Sequence, residues 1–222
     1  AGGAGGGWTR TGFDFRNGYF EGLDAAVYYA LIRDLKPARI IEIGSGFSTR
    51  IAAAAAGLNA QDGRAAEIVC VEPYPQPRLS DARLKVTLVQ ERVEHLSFDW
   101  FDALQPNDIL FIDSSHTVKF GGDVCREFLE ILPRLKPGVW IHVHDIFFPY
   151  DYPAEWLMRQ RYAWTEQYLL EAFLAFNHDF ATTCALRWLW CDHREVLRAK
   201  WPRTISEASA HGPASFWMRR VG

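Results

Sequence analysis

The sequence predicts an α/β fold, a doubly wound, mostly parallel seven-stranded sheet finished by an antiparallel C-terminal strand pair. Three observations carry this. Short apolar runs alternate with stretches of helical periodicity along most of the chain. Successive runs end on Gly44-Ser45-Gly46, Glu72, Asp113 and Asp145, at the strand ends where an open parallel sheet binds its ligand. The chain then closes on two neighbouring strand-like runs. Its 222 residues, 49% of them hydrophobic, suit one full-sized core. We expect a flexible Gly-rich tail over residues 1–18 and a single domain over 19–222.

The elements follow in order. Leu23, Ala26, Val27, Ala30 and Leu31 fall at helical spacing, and Lys36-Pro37 ends that helix. "RIIEIG" is a buried strand. "STRIAAAAA" begins a helix, because Ala has the highest helix propensity, and "LNAQDGRAA" reads as a loop. "EIVCVEP" is a second buried strand, stopped by Pro73. A proline-rich loop, "PYPQPRLSDARL", leads into a short helix. "KVTLVQ" is the third strand, "HLSFDWFDAL" a short helical piece and "DILFIDSSH" the fourth strand. "GGDVCREFLEILPRL" is helical, and "KPG" turns the chain into a fifth strand, "VWIHVHDIF". "PYDYPAEW" is a loop. "TEQYLLEAFLAFN" is a helix with Thr165 as N-cap and Tyr168, Leu169, Ala172, Phe173 and Phe176 on one face. The last two strands lie near "FATTCALRWLW" and "SFWMRR".

A net charge of -3 argues against a nucleic-acid partner, which favours a basic face. The apolar runs are too short and too broken to span a membrane. The first ten residues carry no apolar core of a signal peptide. Cys70, Cys125, Cys184 and Cys191 form no CxxC pair and no metal spacing, so reduced thiols and a cytoplasmic location are expected. Aromatic side chains expected in the C-terminal half suggest a homodimer.

The turn after the first strand is the most informative stretch. Gly44-Ser45-Gly46-Phe47-Ser48-Thr49 departs from the dinucleotide fingerprint, since Thr49 stands where a third glycine belongs. No lysine follows in the P-loop position. Glu42 before the turn would repel a pyrophosphate and suits an ammonium group. Glu72 suits a ribose diol, because a carboxylate accepts two hydroxyl protons. An ammonium, a ribose and no phosphate together describe S-adenosylmethionine. A nicotinamide-dependent oxidoreductase is disfavoured by Thr49 and Glu42 and by the lack of a Tyr-x-x-x-Lys pair. A non-catalytic binding protein on the same sheet is the remaining alternative.

"EIGSGFST", "VEP", "DILFIDSSH" and "KPGVWIHVHDIF", in that order, resemble the Rossmann-like class I S-adenosylmethionine-dependent methyltransferases over about residues 20 to 220. The subgroup resembled is the small bacterial type related to macrocin and catechol O-methyltransferases and to cephalosporin-hydroxylase-like proteins. The resemblance places the methionine end of the cofactor at Glu42, Gly44, Ser45 and Gly46, and the ribose at Glu72. It places adenine near Arg92-Val93-Glu94, and Asp113 against the cofactor.

In the catechol type, a metal-binding Asp ends the fourth strand and a base follows three residues on. Here that pair is Asp113 and His116, with His in place of the family's Lys. An imidazole with an ordinary pKa near 6.5 accepts a proton at neutral pH, so His116 is the expected general base. The second metal carboxylate falls on Asp145, which completes the catalytic set of His116, Asp113 and Asp145. Ile146 cannot ligate where the family has Asn, so the implied triad for a divalent cation such as magnesium is Asp113, His144 and Asp145. His142 alternates with His144 and reads as a core histidine. The run "HVHD" does not meet the metallo-hydrolase pattern HxHxDH. Phe147, Phe148, Tyr150, Tyr152 and Trp156 are expected to wall the acceptor pocket, with Glu166 and Tyr168 near its mouth. The reaction implied is O-methylation of a small-molecule hydroxyl on a sugar, glycoside or phenol.

Overall fold

The computed structural model describes residues 11–201 and 212–222. Five strands run parallel: β1 (Arg39–Ile43), β2 (Glu67–Val71), β3 (Thr87–Val89), β4 (Ile109–Ile112) and β5 (Trp140–Val143). β6 (Phe180–Ala185) and β7 (Phe216–Arg220) complete a seven-stranded sheet of order β3-β2-β1-β4-β5-β7-β6. β7 lies antiparallel to both β5 and β6. The expected fold class is therefore the observed one. Strand order reverses beside β1, whose neighbours are β2 and β4, and a cleft opens beyond the C-terminal ends there.

Strand alternation sorts the apolar residues into two layers. Ile40, Ile68, Cys70, Ile109 and Phe111 face α1 (Gly22–Leu35) and α2 (Phe47–Gln61). Ile41, Ile43, Val71, Leu110, Ile112 and Val143 face the opposite layer. That layer contains α3 (Asp99–Asp102), α4 (Asp123–Arg126) with its π-helical and 3-10 continuation through Arg134, and α5 (Glu166–Leu174). α6 (Leu186–Asp192) and α7 (Arg194–Lys200) follow β6. The buried run Ala52–Ala56 gives α2 a small-residue surface that lies close to the sheet.

Several expectations are corrected. On α1 Leu23 is buried as its spacing suggests, together with Ala25, Tyr28 and Ile32, while Ala30 is exposed. The helix is turned so that Tyr28 sits inside, where its hydroxyl finds a partner. α2 continues through Leu58–Gln61, which read as loop. On α5 the buried residues are Glu166, Gln167 and Leu170, and Tyr168 and Phe176 are exposed. Thr165 is the N-cap residue by position, yet its hydroxyl accepts from Val118 N–H rather than from α5. "RWLW" is helical and belongs to α6, not β6.

Of the expected tail, residues 1–10 lie outside the described residues. Within 11–18, Thr11 donates to the Arg50 carbonyl at 2.8 Å and Phe13 is buried against the α1–α2 layer. At the other end of the chain, Asp24 of α1 accepts N–H bonds from Ala214 and Ser215, just ahead of β7. No helix among the described residues is long and apolar enough to cross a membrane.

Candidate active site

The turn after β1 is set by a close approach. Gly44 has φ +76°, and a Cβ there would lie 1.9 Å from the Asp113 carbonyl oxygen. Only glycine allows β1 and β4 to end this close together. Gly44 N–H donates to Val71 and Asp113 N–H donates to Ile43, so the three central strands are stitched at the site. Thr49, the departure from the dinucleotide pattern, has a definite task. Its hydroxyl donates to Glu42 at 2.5 Å and accepts from Gly46 N–H at 3.2 Å.

Glu42 does not face the cleft, which corrects its assignment to the cofactor's ammonium group. It points from β1 into the helix layer, is fully buried, and also accepts from the Tyr28 hydroxyl at 3.1 Å. Burial raises its pKa to about 7, against the opposing hydrogen bonds from Thr49 and Tyr28. It supports the turn from beneath.

Two cavities adjoin the turn. The larger, about 620 Å³, is lined by Gly44, Ser45, Gly46, Asp113, His116, His144 and Asp145. Its other walls include Phe147, Trp156, Tyr162 and Trp164. The smaller, about 370 Å³, is lined by Arg92, Val93, Glu94 and Ser115. Gly44, Glu72 and Asp113 line both. Glu72 accepts from Ser45 N–H at 3.3 Å and from Tyr74 N–H at 2.8 Å, which holds its carboxylate between the two spaces. The Ser45 hydroxyl is buried with no partner in the protein. Of the expected aromatic wall, Phe147 and Trp156 line the larger cavity; Phe148, Tyr150 and Tyr152 do not. Tyr168 turns out to solvent and bonds Asp151.

His116 is the hub of the larger cavity. It sits at φ +57° with its carbonyl held by the N–H groups of Thr165 and Glu166. Its Nδ1 is 2.8 Å from Glu166 Oε2. Its Nε2 is 3.3 Å from Asp113 Oδ1 and 3.7 Å from Asp145 Oδ2. Burial disfavours the imidazolium, but the hydrogen bonds to Asp113 and Glu166 and the charge of Asp145 outweigh it. The His116 pKa lies well above its ordinary value. The expected base with an ordinary pKa is corrected accordingly: the carboxylates around His116 favour its protonated form.

Asp113, His116 and Asp145 bring one ligand atom each to within 4.8 Å of one another. The expected metal triad is corrected in its third member, because His116 joins that group and His144 does not. His144 stays on the helix-layer side of β5, with Nε2 3.8 Å from Asp145 Oδ1 and Nδ1 unpartnered. Asp113 and Asp145 offer the carboxylate oxygens that suit a hard divalent cation, with the His116 imidazole, its far nitrogen held by Glu166, beside them. His142 is a core residue. It stacks on Phe111, with centroids 4.0 Å apart, bonds Ser215 Oγ at 2.9 Å, and burial holds its pKa well below the ordinary value.

Sequence reasoning gave too little weight to Glu166 and missed Glu127. Glu127 is fully buried in the π-helical turn after α4 and accepts from the Ser114 hydroxyl at 3.0 Å. Burial, with Glu166 nearby, keeps its carboxyl protonated well above the usual range. A charged residue at a buried helix position was the available signal for both.

A family model described as "Methyltransferase domain" matches residues 41–146. An uncharacterized protein of Archaeoglobus fulgidus is 38% identical over 96 residues, which is 42% of this chain and 42% of that protein. The chain thus matches less than half the length of that curated relative. The O-methyltransferase of Bacillus cereus, solved in complex with SAH, is similar at a TM-score of 0.53 and 15% identity, over 96% of this chain and 87% of that one. TomG of Streptomyces achromogenes, an O-methyltransferase solved with SAM, is similar at 0.56 and 16% identity, over 97% and 90%. At such identity the likeness is one of fold. The family match over residues 41–146, the strand order and the Gly44 turn agree in likening this part of the chain to a methyltransferase domain.

Proposed function

We propose that the protein is an S-adenosylmethionine-dependent O-methyltransferase acting on a small-molecule hydroxyl. The observation that carries this reading is the junction of two cavities at Gly44, Glu72 and Asp113. The smaller space suits the adenosine, with Val93 and Arg92 beside the base and Glu72 under the ribose. The unpartnered Ser45 hydroxyl and the Gly44–Gly46 turn suit the methionine end. The remainder of the larger space receives the acceptor beside His116.

S-adenosylmethionine supplies the methyl group, and its ammonium is left to the cleft carboxylates rather than to Glu42. Glu166 fixes the proton of His116 on Nδ1, which leaves Nε2 directed at Asp113, Asp145 and the acceptor hydroxyl. His116 Nε2 takes the hydroxyl proton as the oxygen attacks. A divalent cation held by Asp113 and Asp145 would polarise that hydroxyl and offset the carboxylate charge that keeps His116 protonated. The aromatic wall of Phe147, Trp156 and Trp164 excludes water and offers flat surfaces to a ring.

Calorimetric titration with S-adenosylhomocysteine, with and without magnesium, tests this directly. Micromolar binding, with none of NADH, is the expected result. No binding at any metal concentration would sink the methyltransferase reading.

A further inference from the structure

Among the described residues that line the larger cavity, Arg78 is the only lysine or arginine. It stands among acids: Glu21, Asp24, Glu72, Asp113 and Asp145 line the same space. The backbone holds it there. Pro77 opens the 3-10 turn Pro77–Ser80, Leu79 is buried beneath it, and Arg50 donates to the Arg78 carbonyl at 3.2 Å. The guanidinium lies over the Phe47 ring, 4.2 Å from its centroid. Tyr19 stacks on that ring with centroids 5.6 Å apart and planes at 16°.

No described carboxylate pairs with the Arg78 guanidinium; the Phe47 face is its contact. An arginine laid on an aromatic face keeps its in-plane N–H donors free and oriented, the arrangement that recognises carboxylate or phosphate oxygens. Gln76 and Gln160 line the same cavity and add amide groups. The carboxylate of the cofactor's methionine end has donors elsewhere, in the first-turn N–H groups of the 15-residue helix α2. That leaves Arg78 for the second ligand.

Resting on the methyltransferase reading, we propose that the acceptor is an anion: a hydroxylated molecule whose carboxylate or phosphate group pairs with Arg78 while its hydroxyl reaches His116. The cavity therefore has two poles. One binds the charge of the acceptor, and the other deprotonates it. Neutral sugars and phenols of the same shape leave Arg78 unsatisfied and bind less well.

The test is a fluorescence titration of the full chain, read through Trp156 and Trp164, with and without S-adenosylhomocysteine. The probes are benzoate and phenyl phosphate against benzamide and benzyl alcohol, and glucuronate against methyl glucoside. The anions should bind about tenfold or more tightly than their neutral counterparts, the value of one charge-assisted pair. The tighter of benzoate and phenyl phosphate identifies the preferred group. Arg78→Gln should erase the preference and leave S-adenosylhomocysteine affinity unchanged, which also certifies that the variant is folded; Arg78→Lys should retain part of it. Equal binding of charged and neutral probes, absence of anion binding up to the solubility limit, or a preference that survives Arg78→Gln would overturn the proposal. So would loss of S-adenosylhomocysteine affinity in Arg78→Gln, which would assign Arg78 to the cofactor. Failure of the wild-type chain to bind S-adenosylhomocysteine strikes the methyltransferase reading instead, while the anion titrations without it still decide the role of Arg78.

Discussion

Gly44→Ala and Gly46→Ala, two residues apart, should have opposite effects. At Gly44 the new methyl would meet the Asp113 carbonyl oxygen at 1.9 Å and its carbon at 2.7 Å, on a residue at φ +76°. Such contacts must open to about 3.0 Å, so the ends of β1 and β4 must part by about 1.1 Å (3.0 less 1.9). The left-handed conformation costs about 1 kcal/mol. The strained Asp113-to-Ile43 bond costs about 1 kcal/mol more, and overpacking of the strand ends about 1–3 kcal/mol. The sum, about 3–5 kcal/mol, is a large part of a typical total stability. At about 2–4 °C per kcal/mol for a chain of this size, the Tm should fall by roughly 6–20 °C. At Gly46, φ is -177°, outside the left-handed region, and a Cβ would meet nothing within 4 Å. Gly46→Ala should unfold within about 0.5 kcal/mol of wild type, yet lose S-adenosylhomocysteine affinity, because the empty space beside it is the cavity. Urea unfolding and calorimetry on both variants decide it. A Gly44→Ala protein as stable as wild type, or a Gly46→Ala protein that binds normally, would refute the account of the turn.

Glu166→Gln should leave S-adenosylhomocysteine binding intact and lower kcat about 10- to 100-fold, the usual effect of losing a carboxylate that orients an imidazole. The raised pKa of His116 contributes stability that is whole below about pH 6.5 and is lost as pH rises through the folded-state value. Glu166→Gln removes one raising partner, so imidazole NMR should show His116 losing its proton at lower pH. Glu42 holds its proton more tightly folded than unfolded, about 7 against 4.5, so stability should fall by about 3 kcal/mol as pH climbs through that window. Glu42→Gln should flatten that fall in urea titrations at successive pH values. Magnesium at about a hundredfold excess over its Kd should stabilise the wild-type fold by about 2.7 kcal/mol, and Asp145→Asn or a chelator should abolish the effect in a thermal melt.

The strands and their acidic ends were legible in the sequence because parallel strands buried on both faces are continuous apolar runs. Glu72, Asp113 and Asp145 could be placed at the cleft from those runs alone. Glu42 could not, because a charge one residue inside a strand end points to whichever side alternation dictates, and only the packed helix shows Tyr28 and Thr49 waiting for it. The faces of α1 and α5 were misread for a related reason. Tyr28 and Glu166 are polar by composition, yet each is buried because its polar atom has a partner far away in sequence. That His116 rather than His144 stands beside Asp113 and Asp145 depends on the left-handed turns at His116 and Asp145, which no spacing rule reports. "RWLW" has the look of a strand locally, and the sheet ends before it because β6 has already run its length against β7.

The insertion of β7 between β5 and β6 bears on how the protein is made. Synthesis delivers this strand after both of its neighbours, and the edge of β5 stays unpaired until it arrives. Until then His142 lacks Ser215, and Asp24 lacks the backbone groups that tie the start of the domain to its end. Ala214 and Gly212, which line the larger cavity, come with the same segment. A nascent chain can therefore assemble the smaller cavity early, from β1 to β4, but completes the larger one only when the last strand is threaded in. A partly made chain would hold the smaller cavity without a finished larger one.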